Sequence, residues 1–455
     1  MKGDFTRITY NERKHYALVL MQQGRVQLDS DWNEQALLHW LGMQRLTEDL
    51  IGEHAGPRND SGFEIAQKYN PEGNLITSDF TITQGRYYVR GVMCENDDPV
   101  EYTKQDAYPF PDSVEIEESK IYLVYLHAWW RHITNVEDDD IREVALGGPD
   151  TASRIQTVWQ VKIIEVDAGD ARYKSDYEFF IQFLKDSGIY KRTTGKLQTQ
   201  ALKPADSDQP CITSPQSRYR GNENQLYRVE IHNSGPACTL DASTANTSCA
   251  TFKWSRDNGS VVFPILDLSK ETVTLAHLGR DDRFGLKVGD WVEVVNDNYE
   301  LQRRTEPLFK VIEVDPDNMQ VTLSADPQSS LSADIQLSDM AKHPLLRRWD
   351  HAGAATYSGT LPVEEGKWID LEDGVQIQFP KQLVQDEAPH WYQSGAWWWI
   401  PARNITGDVE WPQENGQPLA QEALDAGYNY APLALLESDG MNITDYRRKI
   451  KELWK

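Results

Sequence analysis

Runs of apolar residues, either continuous or alternating with polar ones, dominate the chain beyond residue 74 and predict β-strands. Residues 121–130 are almost continuously apolar, which is typical of a buried strand. Residues 158–164 alternate between apolar and polar side chains, as a strand with two different faces does. No tandem repeat of fixed period accompanies these runs. The pattern predicts a mainly β fold, with several β-sandwich or small-barrel domains and a few short helices.

The N-terminal segment, residues 1–57, follows a different pattern, with about thirty irregular residues before a helical stripe. Asp31 and Glu34 have the spacing of a capping box, and Gly56 and Pro57 are typical of the end of a helix. An extended arm and a helix over residues 32–53 are therefore predicted, with an apolar stripe formed by Leu37, Trp40, Leu41, Leu46 and Leu50. Either the chain's own β domains or a neighbouring molecule must cover that stripe.

Composition shifts divide the rest of the chain into predicted domains. Residues 190–216 are rich in Thr, Lys, Pro, Asp and Ser, which is typical of a linker. The sequence Asp-Asn-Gly-Ser at 257–260 predicts a hairpin turn, and evenly spaced short strands beyond it predict a small barrel. The predicted domains are an arm and helix for partner docking (1–57), a β-rich domain (58–189), a linker (190–216), a β-sandwich (217–266 with 345–455) and a barrel insertion (267–344). A short C-terminal helix through Tyr446 and Trp454 is also predicted.

A group of aromatic residues near the C-terminal end is the strongest candidate for a ligand platform. Alternate side chains of a strand share a face, so Trp397 and Trp399 would lie on one face and Trp398 on the other. Aromatic residues on both faces are expected of a strand buried between a core and a second layer. We therefore expect a core or a subunit interface here, and the alternative is a carbohydrate platform formed by Trp397 and Trp399.

The charge balance limits the classes of partner. The chain contains 46 Lys and Arg residues against 71 Asp and Glu residues, which gives a formal net charge of −25. An acidic surface repels phosphate groups, and this argues against nucleic acid or anionic lipid as the main partner. The first residues are polar, and no apolar run reaches the length of a membrane span. We expect a protein made in the cytoplasm without a signal peptide and without a direct membrane span.

The residue types that usually carry chemistry do not form a recognised site. No Walker A loop, GxSxG elbow, HExxH sequence or GxGxxG fingerprint is present. The four cysteines lack zinc spacing and are expected to be unrelated thiols, although Cys238 and Cys249 could bridge a loop. The acidic run at 137–140 lacks the spacing of a calcium loop, so a solvated loop is favoured. We predict no catalytic residue, no cofactor and no metal, and hence no enzyme activity.

Eight segments of the chain form distinctive strings: GDFTR (3–7), KHY (14–16), QQGRVQLDSDWNEQ (22–35), ALGGPDTASRIQTVWQVK (145–162), YRGNENQLYRVEIH (219–232), TFKWSRDNGS (251–260), GDWVEV (289–294) and RRWD (347–350). Through these segments the chain resembles a family of large proteins encoded beside contractile injection and phage-tail-like gene clusters. The resemblance spans nearly the whole chain. It implies a structural part of an injection particle, associated with the baseplate as an outer extension, a cage or a crown.

On this interpretation the partners are other particle proteins and copies of the chain itself, in a particle that is either released or anchored to a membrane. The arm and helix are the predicted docking segment, with contacts from Tyr16, Gln22, Gln23, Trp32 and Trp40. Two alternatives remain open. One is a carbohydrate- or cell-surface-binding module of the tail-fibre type, and the other is a cell-wall hydrolase.

Overall fold

The computed structural model describes residues 1–108, 115–167, 176–202, 218–238, 249–332, 337–353, 357–382 and 389–451. These residues form a mainly β fold with several sheets and few helices. The chain divides into two compact units. The barrel unit comprises Met1–Ile8, Thr134–Ser153 and Arg192–Asp425, and the arm unit comprises Thr9–Ile133, Arg154–Lys191 and Ala426–Lys455.

The helices and strands have the following bounds. The helices are α1 (Asp29–Ile51), α2 (Tyr177–Asp186), α3 (Asp297–Gln302) and α4 (Pro327–Ser330). The strands up to residue 231 are β1 (His54–Ala55), β2 (Ile65–Tyr69), β3 (Leu75–Ile82), β4 (Gly85–Val89), β5 (Val92–Asn96), β6 (Val100–Glu101), β7 (Ile121–Ile133), β8 (Arg154–Glu165), β9 (Lys196–Ala201) and β10 (Gln225–Ile231). Those up to residue 378 are β11 (Gly235–Pro236), β12 (Thr251–Ser255), β13 (Val262–Ser269), β14 (Thr272–Leu275), β15 (Trp291–Val295), β16 (Phe309–Asp315), β17 (Gln320–Leu323), β18 (Leu345–Trp349), β19 (Leu361–Pro362), β20 (Trp368–Asp370) and β21 (Val375–Gln378). The remainder are β22 (Trp391–Tyr392), β23 (Trp397–Arg403), β24 (Asp408–Val409), β25 (Gln413–Glu414), β26 (Gln417–Pro418), β27 (Gln421–Glu422), β28 (Asn429–Glu437) and β29 (Asn442–Asp445).

The arm unit is built around the long strand β7. Its main sheet has the order β29-β28-β7-β8, and two three-stranded sheets, β1-β4-β5 and β2-β3-β6, complete the unit. The predictions of strands at 121–130 and 158–164 are confirmed by β7 and β8, which are paired along their whole length. Leu123, Val124 and Leu126 of β7 are fully buried, so both of its faces contribute to cores of this unit.

The C-terminal strands belong to the arm unit and not to the sandwich in which residues 345–455 were predicted. β28 pairs antiparallel with β7 from Asn429 to Glu437, and β29 pairs with β28. The predicted C-terminal helix is wrong at Tyr446, which follows β29 in non-helical chain, while Trp454 lies outside the described residues. A partner strand some 300 residues earlier in the sequence determines this arrangement, and local pattern alone does not reveal it.

A two-sheet sandwich forms one part of the barrel unit. The sheets have the orders β19-β12-β10-β23-β24 and β20-β21-β9-β27, and apolar side chains from both sheets share one core. The strand β9 lies inside the segment predicted as a linker and pairs with both β21 and β27. Leu197, Thr199 and Ala201 of β9 alternate inward, because a strand places every second residue on one face. Residues 203–217 of the predicted linker lie outside the described residues.

A closed six-stranded barrel forms the other part of the barrel unit. Its strand order is β13-β14-β17-β16-β15-β18, so it spans Val262 to Trp349, where the sequence predicted a barrel over 267–344. The predicted turn at 257–260 is present, with positive φ at Asn258 and Gly259 as such a tight turn requires. It does not close a hairpin, because β12 before it belongs to the sandwich and β13 after it belongs to the barrel.

Helix α1 is confirmed as an N-terminal helix, but its start differs from the prediction. The helix covers Asp29–Ile51, and its N-cap residue is Leu28, which makes no side-chain cap bond. The predicted capping box of Asp31 and Glu34 is therefore wrong. Glu34 instead accepts a hydrogen bond from the Thr9 hydroxyl at 2.5 Å, so a contact with the arm replaces the cap.

Candidate functional site

One side of helix α1 packs on the body of the arm unit. The Trp40 ring lies 4.1 Å from the Trp130 ring at the end of β7, measured between centroids. The Gln44 side chain donates to the Arg90 carbonyl at 3.0 Å, in the turn between β4 and β5. A Cβ atom at Gly91 in this turn would collide with the Gln44 carbonyl, so glycine permits the close approach of helix and turn. These contacts fix which face of α1 turns away from the unit.

The opposite face of α1 is exposed along its length. It carries a row spaced by four and three residues in turn, the spacing of a coiled-coil seam, and we call this row the α1 seam. All of its members are exposed: Trp32, Ala36, His39, Met43, Leu46 and Leu50. The large apolar members are 69% exposed at Trp32, 51% at Met43, 51% at Leu46 and 55% at Leu50. A row of this spacing normally packs against a second helix.

The arm that precedes α1 exposes a second set of apolar side chains. Its polar contacts with α1 include a bond from the Val19 amide to the Gln35 side chain at 2.7 Å. Residues 15–28 contain no helix or strand. The exposed apolar side chains of this segment are Tyr16, Leu18, Leu20, Met21, Val26 and Leu28. Ten of the twenty-four large hydrophobic residues that are exposed in the described ranges lie between Tyr16 and Leu50, so the exposure is concentrated here.

The predicted docking residues divide into two groups. Tyr16 is 57% exposed, Trp32 is 69% exposed, and Gln22 and Gln23 are also exposed. Trp40 is half-buried against the arm unit itself and does not belong to the exposed face. Sequence reasoning missed Ala36, His39 and Met43 of the seam, although their four-three spacing with Trp32 is visible in the sequence.

The beginning of the predicted docking segment is part of the barrel unit, and its backbone is bound by side chains of that unit. The Arg228 guanidinium donates to the Met1 carbonyl at 3.0 Å, and the Asn258 amide donates to the Gly3 carbonyl at 2.8 Å. The Arg403 guanidinium donates to the Thr6 carbonyl at 3.0 Å. Side chains of the sandwich and of the turn after it thus bind the backbone of residues 1–6, and the available docking segment begins at about Thr9.

A buried network of charges lies in the barrel unit. Glu293 of β15 is 1% exposed and accepts three bonds, from the Lys253 ammonium at 2.5 Å, the Tyr299 hydroxyl at 2.6 Å and the Trp349 indole at 2.9 Å. Burial is the largest single influence and raises the pKa of Glu293, but Lys253 and Lys2 together with His232 lower it more, so the pKa of this carboxyl lies below its usual value. Glu293 therefore joins the sandwich strand β12 to the barrel.

A second carboxylate extends this network. Glu230 of β10 lies 2.5 Å from the Arg228 guanidinium and 3.4 Å from the Lys253 ammonium. Burial raises its pKa, whereas Lys2, Arg228 and Lys253 lower it more strongly, so the pKa of Glu230 lies well below its usual value. Each buried charge in this group has an opposite charge beside it, which is the arrangement that buried ions require.

Trp397 and Trp399 do not form an open platform. Trp397 is 5% exposed, and the Arg228 guanidinium lies 4.4 Å from the centre of its ring. The Trp399 indole donates to the Asn258 side chain at 2.8 Å. Trp398, on the other face of β23, is 2% exposed within the sandwich core. The structure therefore places Trp397 and Trp398 inside the unit, and the Trp397 ring face is already occupied by a cation.

A second titratable cluster surrounds the turn at 257–260. Burial raises the pKa of Asp257 to about 6 and that of Glu372 to about 7. Arg283 lies 3.0 Å from Asp257, and Arg256 lies 2.8 Å from Glu372. Carboxyl groups with pKa values in this range can exchange protons near neutral pH. Because each is held by an arginine, we interpret the cluster as structural, and the absence of enzyme activity stays a prediction.

No group of three His, Cys, Asp or Glu side chains suited to a metal occurs among the described residues. Asp138 and Asp139 of the acidic run instead bind the Asp140 amide and the Arg142 guanidinium.

The expectation that all four cysteines are unrelated thiols is wrong, because Cys238 and Cys249 form a disulfide. Backbone bonds from Cys238 to Val363 and from Ala250 to Pro236 hold the two chain segments side by side. Cys94 is a buried thiol, and burial raises its pKa to about 12.

Comparison with known proteins assigns the chain by its sequence. A family match covers residues 1–187 and 191–426, which is most of the chain. The chain belongs to the DUF6519 family. DUF6519 is described as a family of unknown function. No curated protein and no solved structure matches the chain. Among the described residues of this DUF6519 protein, no helix has the length and apolar character needed to cross a membrane.

Proposed function

We propose that the chain is a structural component of a phage-tail-like contractile injection particle, associated with the baseplate as an outer extension, a cage or a crown. Neighbouring particle proteins hold it through the arm (from Thr9) and the α1 seam. The observation that carries the proposal is the exposure of Trp32, Met43, Leu46 and Leu50 along one face of α1. The resemblance of segments such as QQGRVQLDSDWNEQ (22–35) to proteins encoded beside injection gene clusters supports the particle context.

The seam favours an amphipathic helix of another particle protein as its occupant. An apolar row with four-three spacing matches knobs-into-holes packing against a second helix. The positions that flank such a row usually carry charges that select the partner. Here these positions carry a single charge, that of Asp49, among Asn33, Gln35, Trp40, Gly42, Thr47 and Asp49. Affinity would come mainly from apolar burial, at about 25 cal/mol per Å² of apolar surface.

The charge of the arm is opposite in sign to the net charge of the whole chain. The segment from Arg13 to Leu28 contains the cations Arg13, Lys14 and Arg25 and no carboxylate, whereas the whole chain has a net charge of −25. A basic, apolar segment on an acidic protein attracts an acidic partner surface and steers association. The occupant is therefore a helix with acidic residues beside its apolar row, followed by a surface that covers Leu18 and Leu20.

Incorporation into purified particles tests this proposal. Met43→Glu and Leu46→Glu place charges in the seam, and because both side chains are about half exposed, we expect folding to be retained. The matched control is Ile405→Glu, which changes a 95% exposed apolar residue in the barrel unit. We expect the control to be incorporated and the seam variants to remain free and folded. Normal incorporation of both seam variants, or dimers of the pure protein that dissociate in these variants, would refute docking to another particle protein.

A further inference from the structure

A cavity of about 300 Å³ lies in the arm unit between helix α2, the β4–β5 turn and the beginning of β28. We call it the tyrosine pocket, because four tyrosines line it. The lining residues are Arg90, Tyr177, Glu178, Ile181, Gln182, Lys185, Tyr190, Tyr428, Asn429 and Tyr430. Its volume is near the lower end of the range for small-ligand sites, about 300–1,000 Å³. It is separate from the α1 seam.

Ring contacts and a hydrogen bond within the arm unit fix the positions of the tyrosines in the pocket wall. The Tyr430 ring stacks on the His127 ring at 4.5 Å and 5°, and the Tyr190 ring meets Tyr430 edge-on at 5.5 Å. The Tyr177 hydroxyl donates to the Tyr430 carbonyl at 3.1 Å, which ties α2 to β28. Tyr190 and Tyr428 are half-buried, so each keeps part of its ring surface accessible. A preformed aromatic surface binds a ligand face at little entropic cost.

The charges around the pocket balance one another. The Arg90 guanidinium is 2.8 Å from Glu48, which already balances its charge. The Lys185 ammonium lies 5.9 Å from the centre of the Tyr190 ring. Because Glu48 and Glu178 stand against the two cations Arg90 and Lys185, the surroundings of the pocket carry no net charge that would select a cationic or an anionic ligand. The ligand class that fits these surroundings is neutral, with one apolar face and several hydrogen-bonding groups.

We propose that the tyrosine pocket binds a neutral hexose unit of a glycan. The C–H face of a pyranose ring is flat and apolar and stacks on aromatic rings such as Tyr190. Its hydroxyl groups both donate and accept, which suits the mixed donors and acceptors of Gln182, Glu178 and Arg90 on the rim. The inference goes beyond the structural role proposed above and places sugar binding in the arm unit and not at Trp397 and Trp399.

Binding of the full-length protein to an array of neutral hexose oligosaccharides tests this inference, with sialylated and uronate-containing glycans as a separate arm. Tyr190→Ala removes a ring from the wall and Gln182→Ala removes a rim amide, whereas Tyr190→Phe keeps the ring. Phe179→Ala is the matched control, because Phe179 is an aromatic residue of α2 that is 54% exposed and does not line the pocket. Circular dichroism and thermal unfolding verify that each variant is folded.

We expect saturable binding to neutral glycans, weakened about tenfold or more in Tyr190→Ala and clearly weakened in Gln182→Ala. Tyr190→Phe and Phe179→Ala should bind as the wild type does. Three results would overturn the inference: no glycan binding, binding only to the anionic glycans, or binding that Gln182→Ala and a folded Tyr190→Ala both leave unchanged. Because Gln182 is an exposed side chain, its variant remains informative even where Tyr190→Ala is unstable. Particle incorporation of these variants should be normal, which separates this inference from the docking proposal.

Discussion

Replacement of Glu293 by glutamine should destabilise the barrel unit strongly, although it replaces only one carboxylate oxygen by an NH2 group. Glu293 is 1% exposed and accepts from Lys253, Tyr299 and Trp349. Glu293→Gln removes the charge opposite Lys253 and introduces an NH2 group among donors. Breaking a buried ion pair on one side costs about 3–5 kcal/mol. Because Lys253 keeps Glu230 at 3.4 Å, we expect the lower end of that range, about 3 kcal/mol.

Urea unfolding of the full chain, followed by tryptophan fluorescence, measures this loss. The matched control is Glu313→Gln on β16, an exposed carboxylate for which we expect a change within about 0.5 kcal/mol. Lys253→Met combined with Glu293→Gln completes a double-mutant cycle, and the double variant should be less destabilised than the sum of the single ones. A loss below about 1 kcal/mol for Glu293→Gln, or strict additivity in the cycle, would show that the buried pair does not hold sandwich and barrel together.

Two further predictions concern pH and the disulfide. Burial lowers the pKa of His54 to about 3 in the folded protein, whereas its pKa in the unfolded chain is about 6.5. Between these two pH values only the unfolded state takes up a proton at this residue. The free energy of unfolding therefore falls on acidification. Between pH 7 and pH 5 it should fall by about 2 kcal/mol less in His54→Gln than in the wild type, as measured by urea titrations, and equal losses in the two proteins would refute this. Reduction of the Cys238–Cys249 disulfide, which closes a separation of 11 residues, should cost about 2–3 kcal/mol. A reductant should have no effect on the Cys238→Ser/Cys249→Ser double variant, and an unchanged urea midpoint of the reduced wild type would contradict the estimate.

The sequence predicted those elements whose local pattern agrees with their final environment. β7 and β8 are long, apolar or alternating, and lie where the pattern places them. β9 was overlooked because its inward residues are only Leu197, Thr199 and Ala201, which look like linker residues among their Gln and Lys neighbours. The turn at 257–260 was recognised from its chemistry, but the sheets that it connects depend on long-range pairing of β12 and β13.

The sequence predicts which segment of the chain docks, but it does not predict which side chains of that segment are exposed. The apolar stripe expected on α1 contains Trp40, which packs on Trp130, and Leu46, which is exposed. Helical periodicity identifies apolar positions, but it does not tell which of two apolar faces the rest of the fold covers. The covered face depends on the β4–β5 turn and on the end of β7, both distant in sequence. The contact of the Arg228 guanidinium with the Trp397 ring could not be predicted for the same reason, because Arg228 lies on another strand.

Photo-crosslinking from the α1 seam in cells that produce the particle tests the central claim most directly. A photoreactive amino acid at position 43 should give one crosslink to another particle protein, at a helix of that protein. The same amino acid at position 405, where Ile405 is 95% exposed in the barrel unit, should give no such product. A chain that is present in the particle but gives no crosslink from position 43, or equal products from both positions, would contradict docking through this face.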